Sequence, residues 1–490
     1  MRRQLELAVA IVVLVLGLAA VSNAQRLEVR ISLSPDSGRA VVEANCPPTL
    51  VWNFRDSYAG IVGLGRRIQH LKAYDRAGHE VLLGEIAPGQ FEAKQSEGAT
   101  RFQYEANLRP PTRPADCAMI SWLDKARGLI MPADLLPIIP TAPDAPRENP
   151  KIRFDLPPGW AVYSGERESA PNEFDVTDPR RAVFIVGQNL RASQTIESGL
   201  SLKLVSTGDW AFSDDDVVDL SRKVLKAHRE TFGSVPTNSA TFILLPFPFS
   251  VSATQWSAET RGTTVTLLMG KLPSKVAALA QLSAPVTHEF FHLWIPNALD
   301  LSGDYDWFYE GFTIYQAAAT AVRLGLLTFP EFLNAIARAH DATRNDQSLS
   351  LIEASQRRFT GGLNSVYAKS QVVALLYDLR LRSSSHNKRS LRDAYRRLVS
   401  PRPSEARTKS LDGNSVVTAA LSDQLGSDEF VRTFISNPVS IDLAKELAPF
   451  GLAVDRSGFS TRISVSDQLT RQQRDLLREL GYNAATHATR

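Results

Sequence analysis

Apolar positions between residues 26 and 125 recur with a period of two. In RLEVRISLS, Leu27, Val29, Ile31 and Leu33 alternate with polar neighbours, the pattern of a half-buried strand. Pro35-Asp36-Ser37-Gly38 then marks a turn, and RAVVEANC returns as a second strand. HLKAYDRAGHEVLL repeats the pattern around Asp75 to Gly78, and TRFQYEANL alternates through Phe102, Tyr104, Ala106 and Leu108. These segments predict a β-sandwich-like domain over residues 25–150. The proline-rich PIIPTAPDAPRENP cannot hold a regular element, because each proline lacks a backbone donor and restrains its predecessor. A domain boundary is expected there.

The period then changes. Asp214 to Gly233 is amphipathic at helical spacing, with acidic residues first and a glycine stop. ATFILLPFPFS and TTVTLLM (Thr263 to Met269) read as buried strands, and the chain is largely helical from there to about Ser400. PRPSEARTKSLDGNS reads as a second linker. Short helices follow, the last stopped by Gly481. The expected fold is α+β and multidomain: residues 25–150, a mainly helical domain over 151–400, and a small helical region over 401–490.

Composition adds the compartment. The first 24 residues join a basic start (Arg2, Arg3), an apolar run from Ala8 to Ala20 and small residues at Ser22 and Ala24. That is the plan of a signal peptide, residues 1–24, and implies export to a periplasmic or extracellular space, with an uncleaved N-terminal membrane anchor as the lesser reading. No later run is long enough to span a bilayer, so no integral membrane domain is expected in the mature chain. The formal net charge is +3; Arg2, Arg3 and Glu6 contribute +1 of it, which leaves +2. That near-neutral balance gives no basis for a nucleic-acid partner. The two cysteines, Cys46 and Cys117, admit either one disulfide or two buried thiols.

The chemistry concentrates in APVTHEFFHLWIPNALDLSGDYDWFYEGFTIYQ. Residues 286–295 suit a helix, with Pro285 in its first turn and Pro296 stopping it. His288 and His292, four apart, then share a face and can present two imidazoles to one metal ion. Glu289 is turned roughly 100° from His288, placed to take a proton from water rather than to ligate. Glu310, one turn into a new helix starting near Asp306, can complete three protein ligands and leave a fourth position open. The remaining histidines are scattered among polar neighbours and read as surface or satisfied residues.

HEFFHLW…WFYEGFTIYQ resembles the gluzincin metallopeptidases, among them the aminopeptidase N family and the glycyl aminopeptidase family. The HEFFHLW and EGFT-x-Y forms are nearer the second. This resemblance implies a thermolysin-like catalytic domain, one Zn2+ ion held by His288, His292 and Glu310, and Glu289 as general base. GGLNSVYAKSQVVALLYDLRLR resembles the stretch that carries a transition-state tyrosine, here Tyr367, although Ser370 stands where the family has glycine. WSAETRGTT occupies the place of a glycine-rich motif whose glutamate captures the substrate's free amine. Glu259 is the matching residue; the glycines before it are missing. The strand over 263–269 is expected to pair with extended substrate. The loop from His292 to Glu310 is short for either family, and Gly303 gives it room to tighten. No carboxylate-binding loop follows Gly426, so the PDZ appendage usual in the glycyl family is expected to be absent. The implied activity is hydrolysis of peptides, as an aminopeptidase or as an endopeptidase with an open cleft. The reading from another class is a non-catalytic peptide-binding protein on a peptidase scaffold.

Overall fold

A computed structural model of the chain describes residues 26–94, 98–139, 149–344, 348–400 and 410–483. The signal-peptide segment lies outside these residues, as do most of the two expected linkers. The chain divides into two compact units between Leu190 and Arg191.

The first unit is built of β-sheets. Strands β1 (Glu28–Ser34) and β2 (Arg39–Thr49) pair antiparallel in an eight-stranded sheet, and β3 (Ala99–Asn107) pairs with the other side of β2. The period-two reading holds: Val29, Ile31 and Leu33 are buried while Glu28, Arg30 and Ser34 are exposed. Inward residues of this sheet share one core with Leu123, Ile130, Phe184 and Val186, all four of which lie on a second, four-stranded sheet. The boundary expected at residue 150 is corrected. Strand β4 (Lys151–Asp155) runs parallel beside β1, with Val29 opposite Ile152 and Ile31 opposite Phe154, so the first unit continues to Leu190. Local sequence identifies the proline-rich break but not the strand that resumes the same sheet beyond it. Cys46 and Cys117 are both buried free thiols, each with its pKa pushed up to about 12 by burial.

The second unit places a five-stranded sheet under helices. In spatial order the strands are β5 (Arg191–Glu197), β6 (Leu200–Ser206), β7 (Ser239–Pro246), β9 (Thr264–Met269) and β8 (Trp256–Arg261). Helix α1 (Asp214–Phe232) starts at a capping box of Ser213 and Asp216 and ends at Gly233, whose φ of 78° only glycine adopts at little cost. Helix α2 spans Lys275–Phe291, a start well before the expected one. Ser274 caps it by accepting from the Ala277 amide, and Pro285 lies inside it rather than in its first turn. Phe290 of α2 packs edge-on against Phe242 of β7, which ties the helix to the sheet.

Residues 410–483 do not form a separate region. Leu421, Phe430, Leu447 and Leu477 join Val372, Leu375 and Phe290 in one continuous core. They also include a hairpin, Leu452–Ser457 with Ser460–Val465, that the helical expectation missed. No helix among the described residues is long and apolar enough to cross a membrane.

His228 on α1 is fully buried between the rings of Phe291 and Trp294, and its Nε2–H donates to the Thr287 carbonyl at 2.8 Å. Burial lowers its pKa from 6.5 to about 3. The unfolded chain therefore takes a proton below about pH 6.5 that the folded chain refuses, so stability falls as pH drops from there toward 3. Between pH 7 and pH 5 this removes about 2 kcal/mol. His228→Gln keeps a donor for Thr287 and cannot titrate, so its denaturant midpoint is expected to fall less over that range than that of the wild type. Parallel urea titrations check this; equal pH slopes would reject the assignment.

Candidate active site

Helix α2 ends at Phe291, but His292 keeps helical dihedrals (φ −64°, ψ −16°), so the four-residue spacing still brings the two imidazoles together, edge to face. Their Nε2 atoms lie 3.0 Å apart. His292 is oriented from behind, where its Nδ1 faces the Ile295 carbonyl at 2.8 Å and leaves Nε2 to point inward.

Glu310 comes from a separate segment. After the loop the chain enters a π-helical turn, Trp307–Phe312, that runs directly into α3 (Thr313–Arg323). The Trp307 amide donates to Ser355 Oγ on α5 (Leu351–Gln356, which follows α4, Phe329–Thr343), fixing where the turn begins. Gly303 has φ 85° in the short loop, the tightening that the sequence allowed. Glu310 Oε2 consequently lies 3.5 Å from His288 Nε2 and 3.6 Å from His292 Nε2.

These three atoms suit a small divalent cation. Tetrahedral zinc with bonds of ~2.0 Å places its ligand atoms about 3.3 Å apart, close to all three separations. The field favours positive charge there. Burial alone would push Glu310 toward protonation, but the two imidazoles and Arg358 outweigh it and hold the pKa well below the carboxylate range. Burial likewise works against charge on His292, yet Glu310 raises its pKa to about 9. Among the described residues these are the one cluster of three or more histidine, cysteine or acidic groups able to hold a metal.

Glu289 is buried beside the cluster, and burial raises its pKa despite the imidazoles and a hydrogen bond from Thr260. Thr260 Oγ1 lies 2.8 Å from Glu289 Oε2 and 2.9 Å from its carbonyl. Asn297 completes this junction, donating to the carbonyls of Thr260 (3.3 Å) and His292 (3.0 Å) and accepting from the Gly262 amide.

Tyr367 sits on a second π-helical turn, Ser365–Lys369, immediately before α6 (Ser370–Ser384). Its hydroxyl is hydrogen-bonded to Arg358, which also bonds Glu310, so tyrosine and third ligand share one partner. The two π-turns touch at Gly311. A Cβ there would lie 2.2 Å from Ser370 Cβ and 2.8 Å from the Val366 carbonyl. Ser370, where the resembled family has glycine, is accommodated because its hydroxyl donates to the Ser365 carbonyl at 3.0 Å.

Glu259 is placed differently. On β8 it precedes Thr260, and neighbouring strand residues face opposite sides. Its Oε1 accepts from Arg261 Nε at 3.0 Å. The strand expected to pair with substrate is also corrected: β9 is flanked by β7 and β8, so neither of its edges is free. The edge strands of this sheet are β8, next to β9, and β5 on the far side. Sequence reasoning missed Arg358, Thr260, Asn297 and the role of Gly311. In SQRRFTGGLN nothing distinguishes Arg358 from Arg357; only in three dimensions does Arg358 alone reach Glu310 and Tyr367.

No protein-family model matches the chain, and no curated protein matches it by sequence. Solved structures do share its fold. An aminopeptidase N family protein from Idiomarina loihiensis superposes with a TM-score of 0.72 at 18% identity, over 88% of this chain and 79% of that one. An M1 zinc metallopeptidase from Deinococcus radiodurans gives 0.54 at 14% identity, over 86% and 95%. A mutant of the latter, solved with a Tyr-Ser-Ala substrate, gives 0.53 at 13% identity, over the same shares. The chain thus has the α+β fold of the M1 metallopeptidases, and in that fold it carries a cluster of His288, His292 and Glu310 fit for a metal.

The close approach at Gly311 yields an expectation. Gly311→Ala forces the π-turns apart and should cost about 1–3 kcal/mol by overpacking. The melting temperature should fall by several degrees, and zinc affinity should fall with it as the neighbouring Glu310 is displaced. Calorimetry and competition with a chromophoric chelator test this; unchanged values for both would mean that the turns do not pack in this way.

Proposed function

We propose that the chain is an exported zinc-dependent peptidase that hydrolyses peptide bonds. The observation that carries this reading is the convergence of two imidazole nitrogens and one carboxylate oxygen within 3.6 Å, with a buried glutamate and a tyrosine hydroxyl joined to the same cluster. One Zn2+ ion held by His288, His292 and Glu310 would polarise the scissile carbonyl and lower the pKa of the attacking water.

The other groups then have distinct tasks. Glu289 receives the proton of the attacking water and passes it to the leaving amine; its raised pKa brings it nearer the operating pH of a general base. Thr260 holds Glu289 Oε2 so that the other oxygen meets the water. Tyr367 donates its hydroxyl proton in a hydrogen bond to the carbonyl oxygen as negative charge develops there; burial and the Glu310 charge raise its pKa, so it stays a donor. The free edge of β8 can align an extended peptide by main-chain hydrogen bonds.

Removal of residues from the N-terminal end is the favoured mode. The M1 fold and the presence of Glu259 on the edge strand support it. A second reading, internal cleavage, draws on the Glu259–Arg261 pair: a carboxylate already facing a guanidinium has less field left for a substrate ammonium.

Peptides with free and with acetylated N-termini separate the two modes when products are read by mass spectrometry. Loss of single N-terminal residues from free peptides only is the expected result, and equal internal cutting of both sets would establish the second reading. Glu289→Gln should keep zinc while turnover drops by about 10²–10⁴, the range for general acid–base groups. A variant that retains full peptide turnover would overturn the role of Glu289. A chain that binds zinc and peptide but cuts nothing would point to a binding protein on a peptidase scaffold.

A further inference from the structure

Arg358 lies on a short 3-10 turn, Arg358–Thr360, between α5 and the π-turn of Tyr367, and is largely buried. Its planar guanidinium makes four polar contacts. Nη1 donates to Asp306 Oδ1 at 2.6 Å and reaches the Tyr309 hydroxyl at 3.4 Å. Nη2 donates to Glu310 Oε1 at 3.0 Å and bonds the Tyr367 hydroxyl. Glu310 is thereby divided. Its Oε2 faces both imidazoles, while its Oε1 faces Arg358. Only a guanidinium does this from one side chain, because its donors lie in a rigid fork; a lysine ammonium is a compact point charge on a flexible stem.

We infer that Arg358 is a positioning residue that sets two groups at once: it commits Glu310 to ligate a metal through Oε2 alone, and it fixes the Tyr367 hydroxyl relative to that metal. The inference rests on the zinc site proposed above and goes beyond it in assigning a residue that no metal-site motif contains. The Asp306 carboxylate anchors the fork on the far side, so the guanidinium is clamped between two carboxylates rather than free to follow Glu310. Hydrogen-bonding partners behind a ligand typically contribute about 10–100-fold to metal affinity.

The test uses the full chain and has a readout independent of activity. Zinc affinity is measured by competition with a chromophoric chelator for the wild type, Arg358→Met, Arg358→Lys and Tyr367→Phe. Expected results are a loss of about 10–100-fold for Arg358→Met, a smaller loss for Arg358→Lys, and no change for Tyr367→Phe. On a cleaved peptide, Arg358→Met should lower kcat more than it raises KM. Its kcat loss should shrink when introduced into Tyr367→Phe, since the two act through one hydroxyl. Zinc affinity of Arg358→Met equal to that of the wild type, or strictly additive kcat losses, would overturn the inference and leave the peptidase reading standing. Should Arg358→Met fail to fold, Arg358→Lys decides alone, and wild-type affinity in it rejects the role. A wild-type chain that binds no zinc overturns the metal site and this inference together.

Discussion

An ionised carboxylate buried in a protein interior demands compensation, and Glu310 organises the second unit around that demand. Its two oxygens are answered separately. Two imidazoles meet Oε2, and a guanidinium meets Oε1. Asp306, Tyr309 and Tyr367 then attach to the same guanidinium, so four chain segments become interdependent through one charge. The arrangement leaves an electronegative centre facing two nitrogens, which is the electrostatic condition for holding a cation.

Two of the π-helical turns among the described residues lie where this happens. Glu310 and Tyr367 each sit on a π-helical turn that opens directly into a regular helix. A π-turn inserts one extra residue, rotating the side chains that follow and bulging the backbone outward. Two such bulges pack against each other at Gly311, where no side chain would fit. Ser370 returns a hydrogen bond to the Ser365 carbonyl within its turn. The edge strand β8 adds the third wall, with Thr260 holding Glu289 and Asn297 linking that strand to the end of α2.

Much of the site was legible beforehand. The four-residue spacing of His288 and His292 places them on one helical face wherever the helix begins, so the early start of α2 and the internal Pro285 did not disturb the pair. Glu310 was reachable because two histidines leave a zinc site one protein ligand short, and a carboxylate one turn into the next helix can supply it. Glu259 was less legible: the motif position matched, but the strand alternation that pairs it with Arg261 depends on sheet context. The same limit explains β9. TTVTLLM reads correctly as a strand, whereas its being interior rather than at the edge is a matter of sheet order.

The sequence by itself determined what is local and periodic: the β-rich first unit, the glycine-stopped helix α1, the buried strands and the pairing of His288 with His292 on one face. These follow from spacing along the chain, which hydrophobic burial and hydrogen-bond geometry convert directly into faces. Tertiary structure alone decided the return of β4 to the first sheet across the proline-rich break, the merging of residues 410–483 into the core of the second unit, and the recruitment of Arg358. Each of these joins segments far apart in sequence, and their energies come from contacts whose partners no local pattern names.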